Sequence, residues 1–377
     1  MLTDKWLIVY GIVFTAAFAV TALLTPLFRS LAHRTGLLDR PADNHKGHAK
    51  ATALLGGAAM FVSWLLCIIA GVFSVLGNFI PEYFSETFPR HLAGFQAASS
   101  SQLLYIVLGA TMAVALGLID DKWALKAKWK FLGQFIIAFL VVYCGGVRIN
   151  FFVHSELFSI CVTVFWFMLL MNAINFFDNM DGLAVGTIAI AMGFFTIIAA
   201  LNNEFFFAVF AALNFGVCCG FWLYNANPAS IFMGDSGSHF LDYLSAVVSA
   251  GVSYFDISFS QSRFPVLIPV LILALPLFDT MMVVVIRSIN RKPFWIGDHN
   301  HISHRFVRMG LSRKNAVMLV HLLALNIALS ALPVYWGEFK TAAVIILQII
   351  ILLTIITILQ FRLEERKDAT EKVEKEQ

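Results

Sequence analysis

The sequence predicts an all-α polytopic membrane protein with about 11 transmembrane helices. Three observations predict it. Hydrophobic residues make up 59% of the chain and charged residues only 13%, with a mean hydropathy of +0.81; a water-soluble domain has no use for that much apolar surface. Eleven apolar windows follow one another along the chain, most of them near the roughly 20 residues that cross a hydrocarbon layer. Basic residues divide unequally between alternate loops.

The windows lie at about 6–28, 53–76, 101–119, 131–146, 157–177, 182–201, 205–224, 237–254, 264–286, 315–335 and 341–361. The first is followed by Arg29, His33 and Arg34 and has no small-residue cleavage site, so it reads as a retained span and not a removed signal peptide. The fourth is short. Residues 77–100 read as an amphipathic segment on the outer surface, and 146–153 (GVRINFFV) alternates enough for a short hairpin. The domain reading is one integral-membrane unit over 1–361 with a charged tail at 362–377. Cys67, Cys144, Cys161, Cys218 and Cys219 have no CxxC spacing and no nearby histidine, so they read as small core residues.

Alternation of the spans puts segments 29–52, 120–130, 178–181, 225–236 and 287–314 on one side, with the tail. These carry five, four, none, none and seven Lys or Arg residues, and the tail five more; the other side has only Lys5, Arg90, Arg148, Arg263 and Lys340. That asymmetry makes the basic side cytoplasmic, with the N-terminus outside and the C-terminus inside.

Carboxylates are costly beside hydrocarbon, so aspartates kept at span ends ask for a function. Asp120 and Asp121 end the third span, and four lysines follow by Lys130. Adjacent carboxylates repel, and at least one wants a cation or a proton. The stretch is either an acid/base or metal pair beside a phosphate-binding lysine set, or a solvated basic loop against lipid headgroups. In NAINFFDNMDGLA (172–184), Asn172, Asn175 and Asp178 fall on one helical face, with Asp181 continuing it. Such a ladder of hard oxygen ligands suits Mg2+, a uridine or a sugar; the alternative is two polar helix ends and a tight turn. In NANPASIFMGDSGS (225–238), small residues flank Asp235 and would let a backbone approach phosphate oxygens. Asp235 could equally serve as a helix N-cap.

The basic loop DHNHISHR (298–305) groups imidazoles with a guanidinium, which suits a diphosphate or a nucleotide better than zinc, since no thiolate is near. Asp279 sits alone in an apolar span, as a buried helix–helix partner or a lining residue. All the other aspartates named, and these histidines, fall on the basic side.

In this order and on one face, the four stretches resemble the polyprenyl-phosphate N-acetylhexosamine-1-phosphate transferase family. The matching residues are DD at 120–121, NAINFFDNMDGLA at 172–184, FMGDSGS at 232–238 and HISHR at 301–305. GLLDRP at 36–41, then His48, then Gly56 and Gly57 extend the likeness to nearly the whole of 5–361. Ser303 stands where WecA/TagO-like members commonly have a histidine. KATALLGG before the second span lacks the proline and threonine of the MraY branch, whose run of three histidines is also absent. Both differences favour the WecA/TagO-like branch.

The resemblance implies that HexNAc-1-phosphate, foremost GlcNAc-1-phosphate, passes from a UDP-sugar to undecaprenyl phosphate, with UMP released, as the first membrane step of a cell-envelope polysaccharide. It implies Mg2+, with Mn2+ as a substitute, held by Asp235 and Asn175. Asp120 and Asp121 would be catalytic, and Asn172, Asp178, Asp181, His301, His304, Arg305, Lys130 and His48 would bind substrate. The implied partners are a UDP-N-acetylhexosamine, undecaprenyl phosphate and membrane lipids, with no nucleic acid and a homodimer left open. The implied location is the bacterial plasma membrane with the site facing the cytoplasm. The alternatives are MraY-like transfer of phospho-MurNAc-pentapeptide and, from another class, an ion-coupled transporter.

Overall fold

Helices form at every one of the eleven apolar windows. The computed structural model describes residues 4–39, 51–77, 89–149, 155–254, 264–291 and 300–376. Among these, eight helices are long and apolar enough to cross a membrane. A ninth crossing follows if Pro265–Ile272 and Ala274–Ile289, which meet at 69°, form one broken span. Two of the eleven expected windows fall outside this set. The helix at the short fourth window, α4, has 17 residues, a rise of roughly 26 Å. The helix at the eighth, Gly234–Gly251, carries Asp235, His239 and Asp242 and is too polar to face lipid.

The chain divides into two compact units, Met1–Tyr254 and Phe255–Gln377. The first contains α1 (Asp4–Thr35), β1 (Leu38–Asp39), β2 (Thr52–Ala53), α2 (Gly56–Leu76), α3 (Pro89–Trp123), α4 (Ala127–Tyr143), α5 (Glu156–Phe177), α6 (Leu183–Leu201), α7 (Phe205–Asn225) and α8 (Gly234–Gly251). The outer helices present leucine and phenylalanine outward, as Leu23 and Phe73 do at 73% and 67% exposure. That is the arrangement a hydrocarbon solvent favours.

The most polar helix lies innermost. Every residue of α8 from Ser236 to Ala250 is buried, with α3, α5 and α2 packed against it. The fit of α2 depends on glycine: a Cβ on Gly57 would lie 2.2 Å from the Gly237 nitrogen. The α8 entry is held by backbone pairing. Ala53 bridges Ile231 in parallel, Phe232 N–H donates to the Ala53 carbonyl at 2.8 Å, and Gly57 N–H donates to the Met233 carbonyl at 2.9 Å.

The second unit contains a 3-10 turn (Phe264–Leu267), α9 (Ile268–Ile272), α10 (Ala274–Ile289), α11 (Ile302–Arg308), α12 (Arg313–Trp336) and α13 (Phe339–Glu376). The last helix runs on from its apolar part into the expected tail without a break. The amphipathic segment and the hairpin read at 77–100 and 146–153 lie partly or mostly outside the described residues. No disulfide forms among the described cysteines, but Cys144 and Cys161 are exposed and not core residues.

Candidate functional site

The site is assembled where four helices of the first unit end near one another. The third span runs four residues beyond its expected end, so Asp120 and Asp121 sit in the last turn of α3. Only residues 124–126 separate α3 from α4, with Ala124 at φ 47°. This tight reversal puts Lys130, on the first turn of α4, back beside α3. Its Nζ lies 2.8 Å from Asp120 Oδ2, 3.3 Å from Asp235 Oδ1 and 3.4 Å from Asn175 Oδ1. One ammonium group thus joins α3, α4, α5 and α8.

Asn175 completes the join from α5. Its Nδ2 donates to Asp235 Oδ1 at 2.8 Å and to Ser238 Oγ at 2.7 Å. Ser238 stands one turn after Asp235 in the FMGDSGS stretch, and that spacing is the signal in the sequence that joins it to the site. Asp235 stays partly open, at 36% side-chain exposure, whereas Asp120 is at 7%. Asp120 Oδ1 also accepts the Leu125 N–H at 2.7 Å, which secures the turn.

Asp121 is occupied differently. Its Oδ1 accepts the Asp235 N–H at 2.7 Å and its Oδ2 the Ser236 N–H at 3.1 Å. These are free amides of the first turn of α8, and a carboxylate there satisfies both and opposes the helix dipole. Gly234, at φ 67°, makes the approach feasible, since a Cβ there would lie 2.8 Å from Asp121 Oδ2. The N-cap task considered for Asp235 is thus performed by an aspartate of another helix.

The polar ladder read on 172–181 is a helix face only in part, because α5 ends at Phe177. Asn172 lies inward, its Nδ2 donating to Gln134 Oε1 on α4 at 3.0 Å and to the Met168 carbonyl at 2.7 Å. Asp178 follows the helix, and burial, with Asp235, Asp181 and Asp121 nearby, pushes its carboxyl up to about 8. Asp181 leaves the ladder in the turn and accepts from Asn227 Nδ2 at 3.0 Å and Ala229 N–H at 3.1 Å, which pins the loop before α8.

In the second unit, His301 precedes α11 and is buried. Its Nδ1 lies 2.6 Å from Asp279 Oδ2, so Asp279 is a buried partner of a histidine. The rings of His301 and His304 are 6.4 Å apart, and the Arg305 guanidinium lies over the Phe361 ring at 4.6 Å. His48 lies outside the described residues.

No group of three or more His, Cys, Asp or Glu side chains poised to hold a metal occurs among the described residues. Mg2+ asks for less: it keeps several waters and takes one or two carboxylates along with substrate phosphates. Asp235 and the Asn175 oxygen fit that need. The site already gathers a cation, the Lys130 ammonium, beside Asp120, Asp235 and Asn175.

A bundle of apolar helices with charged, interlocked side chains at adjoining helix ends defines a multi-pass membrane protein with a polar site at the edge of its apolar spans. The chain belongs to glycosyl transferase family 4, whose pattern it matches over residues 103–253. It is 30% identical over 361 residues to the probable undecaprenyl-phosphate N-acetylglucosaminyl 1-phosphate transferase of Bacillus subtilis (strain 168), covering 94% of this chain and 92% of that one. It is 28% identical over 360 residues to the decaprenyl-phosphate N-acetylglucosaminephosphotransferase of Mycobacterium tuberculosis (strain CDC 1551 / Oshkosh), covering 88% and 84%. The phospho-N-acetylmuramoyl-pentapeptide-transferase of Bacillus anthracis (strain A0248) is 30% identical over 258 residues, covering 63% and 72%.

Proposed function

We propose that the protein transfers GlcNAc-1-phosphate from UDP-GlcNAc to undecaprenyl phosphate and releases UMP, at the cytoplasmic face of a bacterial plasma membrane. The observation that carries this reading is the Lys130 bridge between Asp120, Asp235 and Asn175. It gathers a cation and hard oxygen ligands at helix ends, where a water-soluble donor and a lipid carrier can both arrive. The charge asymmetry of the loops supports the cytoplasmic orientation. The Bacillus subtilis relative, alike over almost the whole chain, supports GlcNAc over the muramoyl pentapeptide, whose relative covers 63%.

In the reaction, a phosphate oxygen of the carrier bonds to the β-phosphorus of the donor. The bond from that phosphorus to the oxygen bridging the two donor phosphates breaks, and UMP leaves with that oxygen. Both partners are anions, so charge must be neutralised before they meet. Lys130 supplies one positive charge beside Asp120 and Asp235, and the family resemblance assigns His301, His304 and Arg305 to substrate binding. Asp235 and Asn175 would hold Mg2+, which would neutralise the diphosphate and the leaving UMP. Asp120 and Asp121 already hold amides and an ammonium. That occupancy supports direct attack by the carrier over a phosphorylated-aspartate route, with the aspartates aligning Lys130 and α8.

The ion-coupled transporter has less support. Intramembrane relays lie near the bilayer midplane, whereas these carboxylates cluster at helix ends. The test is a donor screen: UMP release from several UDP-sugars by purified protein with undecaprenyl phosphate and Mg2+. UDP-GlcNAc should be the best donor. Preference for UDP-MurNAc-pentapeptide would replace the reading with the muramoyl reaction.

A further inference from the structure

Asp279 is an ionisable residue with no task in the reaction above. It lies on α10, six residues past the bend at Leu273, and is 1% exposed. Both of its oxygens are engaged. Oδ2 meets His301 Nδ1 at 2.6 Å, and Oδ1 accepts the Ile302 N–H at 2.6 Å. His301 is itself 4% exposed, and Gln360 Nε2 donates to the Ile302 carbonyl at 3.2 Å.

We propose that Asp279 is the positioning residue for His301, holding its imidazole with a proton on Nδ1 so that Nε2 is the nitrogen presented to substrate. The argument is one of donors and acceptors. An ionised carboxylate can only accept, so the ring nitrogen 2.6 Å from it must donate. The partner of one ring nitrogen decides what the other can do. Neutral His301 then offers Nε2 as a proton acceptor, and charged His301 offers it as a donor to an anionic oxygen.

The second oxygen adds a positional constraint. One carboxylate grips the side chain of residue 301 and the backbone of residue 302, so ring orientation and the start of α11 are set together. The part of this inference that concerns substrate rests on the transfer reading given above.

The substitution that separates the bonds is Asp279→Asn. An asparagine side chain has one accepting oxygen where the aspartate has two, so one of the two N–H partners must face its NH2 group. The test has two readouts on the full-length protein in detergent or nanodiscs. Nitrogen-15 histidine spectra, with His301→Gln assigning the signal, should show an Nδ1–H ring in the wild type and loss of that state in Asp279→Asn. A double-mutant cycle follows kcat/KM for UMP release. Asp279→Asn should lower it roughly 10- to 100-fold alone, and by less than about 2-fold in the His301→Gln background.

Asp279→Glu keeps the charge and both acceptors, so it should keep the Nδ1–H signal and more activity than the asparagine variant; it carries the test if that variant does not fold. An Nε2–H ring in the wild type, or equal fold-losses in both backgrounds, overturns the proposal. A wild type with the expected ring state that releases no UMP supports the hold on His301 and sinks the transfer reading instead.

Discussion

Asp121 on α3 caps α8: its two oxygens take the backbone N–H groups of Asp235 and Ser236 at 2.7 and 3.1 Å. The residue beside it, Asp120, instead takes the Lys130 ammonium at 2.8 Å. Two adjacent carboxylates thus avoid competing for one cation, and each orients a different part of the site.

This division predicts different costs for neighbouring aspartates. Asp121→Asn leaves an amide of α8 facing an NH2 group and should lower unfolding stability by about 1–3 kcal/mol. Asp235→Asn keeps the cap and should abolish most transfer with a smaller stability loss. Unfolding in detergent, measured beside UMP release, separates the two. Equal stability losses would contradict the capping role.

Lys130→Met leaves Asp120, Asp235 and Asn175 without their shared cation. It should lower kcat/KM by about 100-fold or more, the scale of losing one preorganised donor. Lys130→Arg keeps the charge and should retain more. A methionine variant with wild-type kcat/KM would remove Lys130 from the site.

The Asp178 carboxyl, pushed up to about 8 by burial and by Asp235, Asp181 and Asp121, makes stability depend on pH. Its unfolded value is 3.8, so the folded state binds more of its proton between 3.8 and about 8. Stability from this group is fully present below that window and is lost as pH rises through it. Without divalent cations, the melting temperature of Asp178→Asn should fall less between pH 5 and 8 than that of the wild type. Parallel curves would show that Asp178 is not buried among the other carboxylates.

Gly57 and Gly71 lie on one helix and should behave oppositely. A Cβ at 57 meets the Gly237 nitrogen at 2.2 Å, while a Cβ at 71 meets nothing within 4 Å. Gly57→Ala should force α2 off α8 and destabilise by about 1–3 kcal/mol or more. Gly71→Ala should be neutral or stabilising by up to about 1 kcal/mol. Comparison of their melting temperatures checks the close approach.

The helical class was legible because lipid makes apolar length a strong signal, and each of the eleven windows holds a helix. Crossing number was less legible: α8 is buried by other helices, so its polar residues blurred the distinction between span and core. At the site, the resemblance picked out Asp120, Asp235 and Asn175, which Lys130 brings together. What the sequence hid was partnership across distance. Asp121 meets amides more than a hundred residues away, Asp181 holds a loop and not a helix face, and Asp279 grips His301. Local periodicity carries no information about such pairs.

The most direct test of the central claim follows the lipid product itself. Purified protein would be incubated with UDP-GlcNAc, undecaprenyl phosphate and Mg2+, and undecaprenyl-diphospho-GlcNAc and UMP would be quantified by mass spectrometry. Equal amounts of the two products, lost on chelation and in Asp235→Asn, are the expected result. UMP formed without the lipid product, or neither product formed by folded protein, would contradict it.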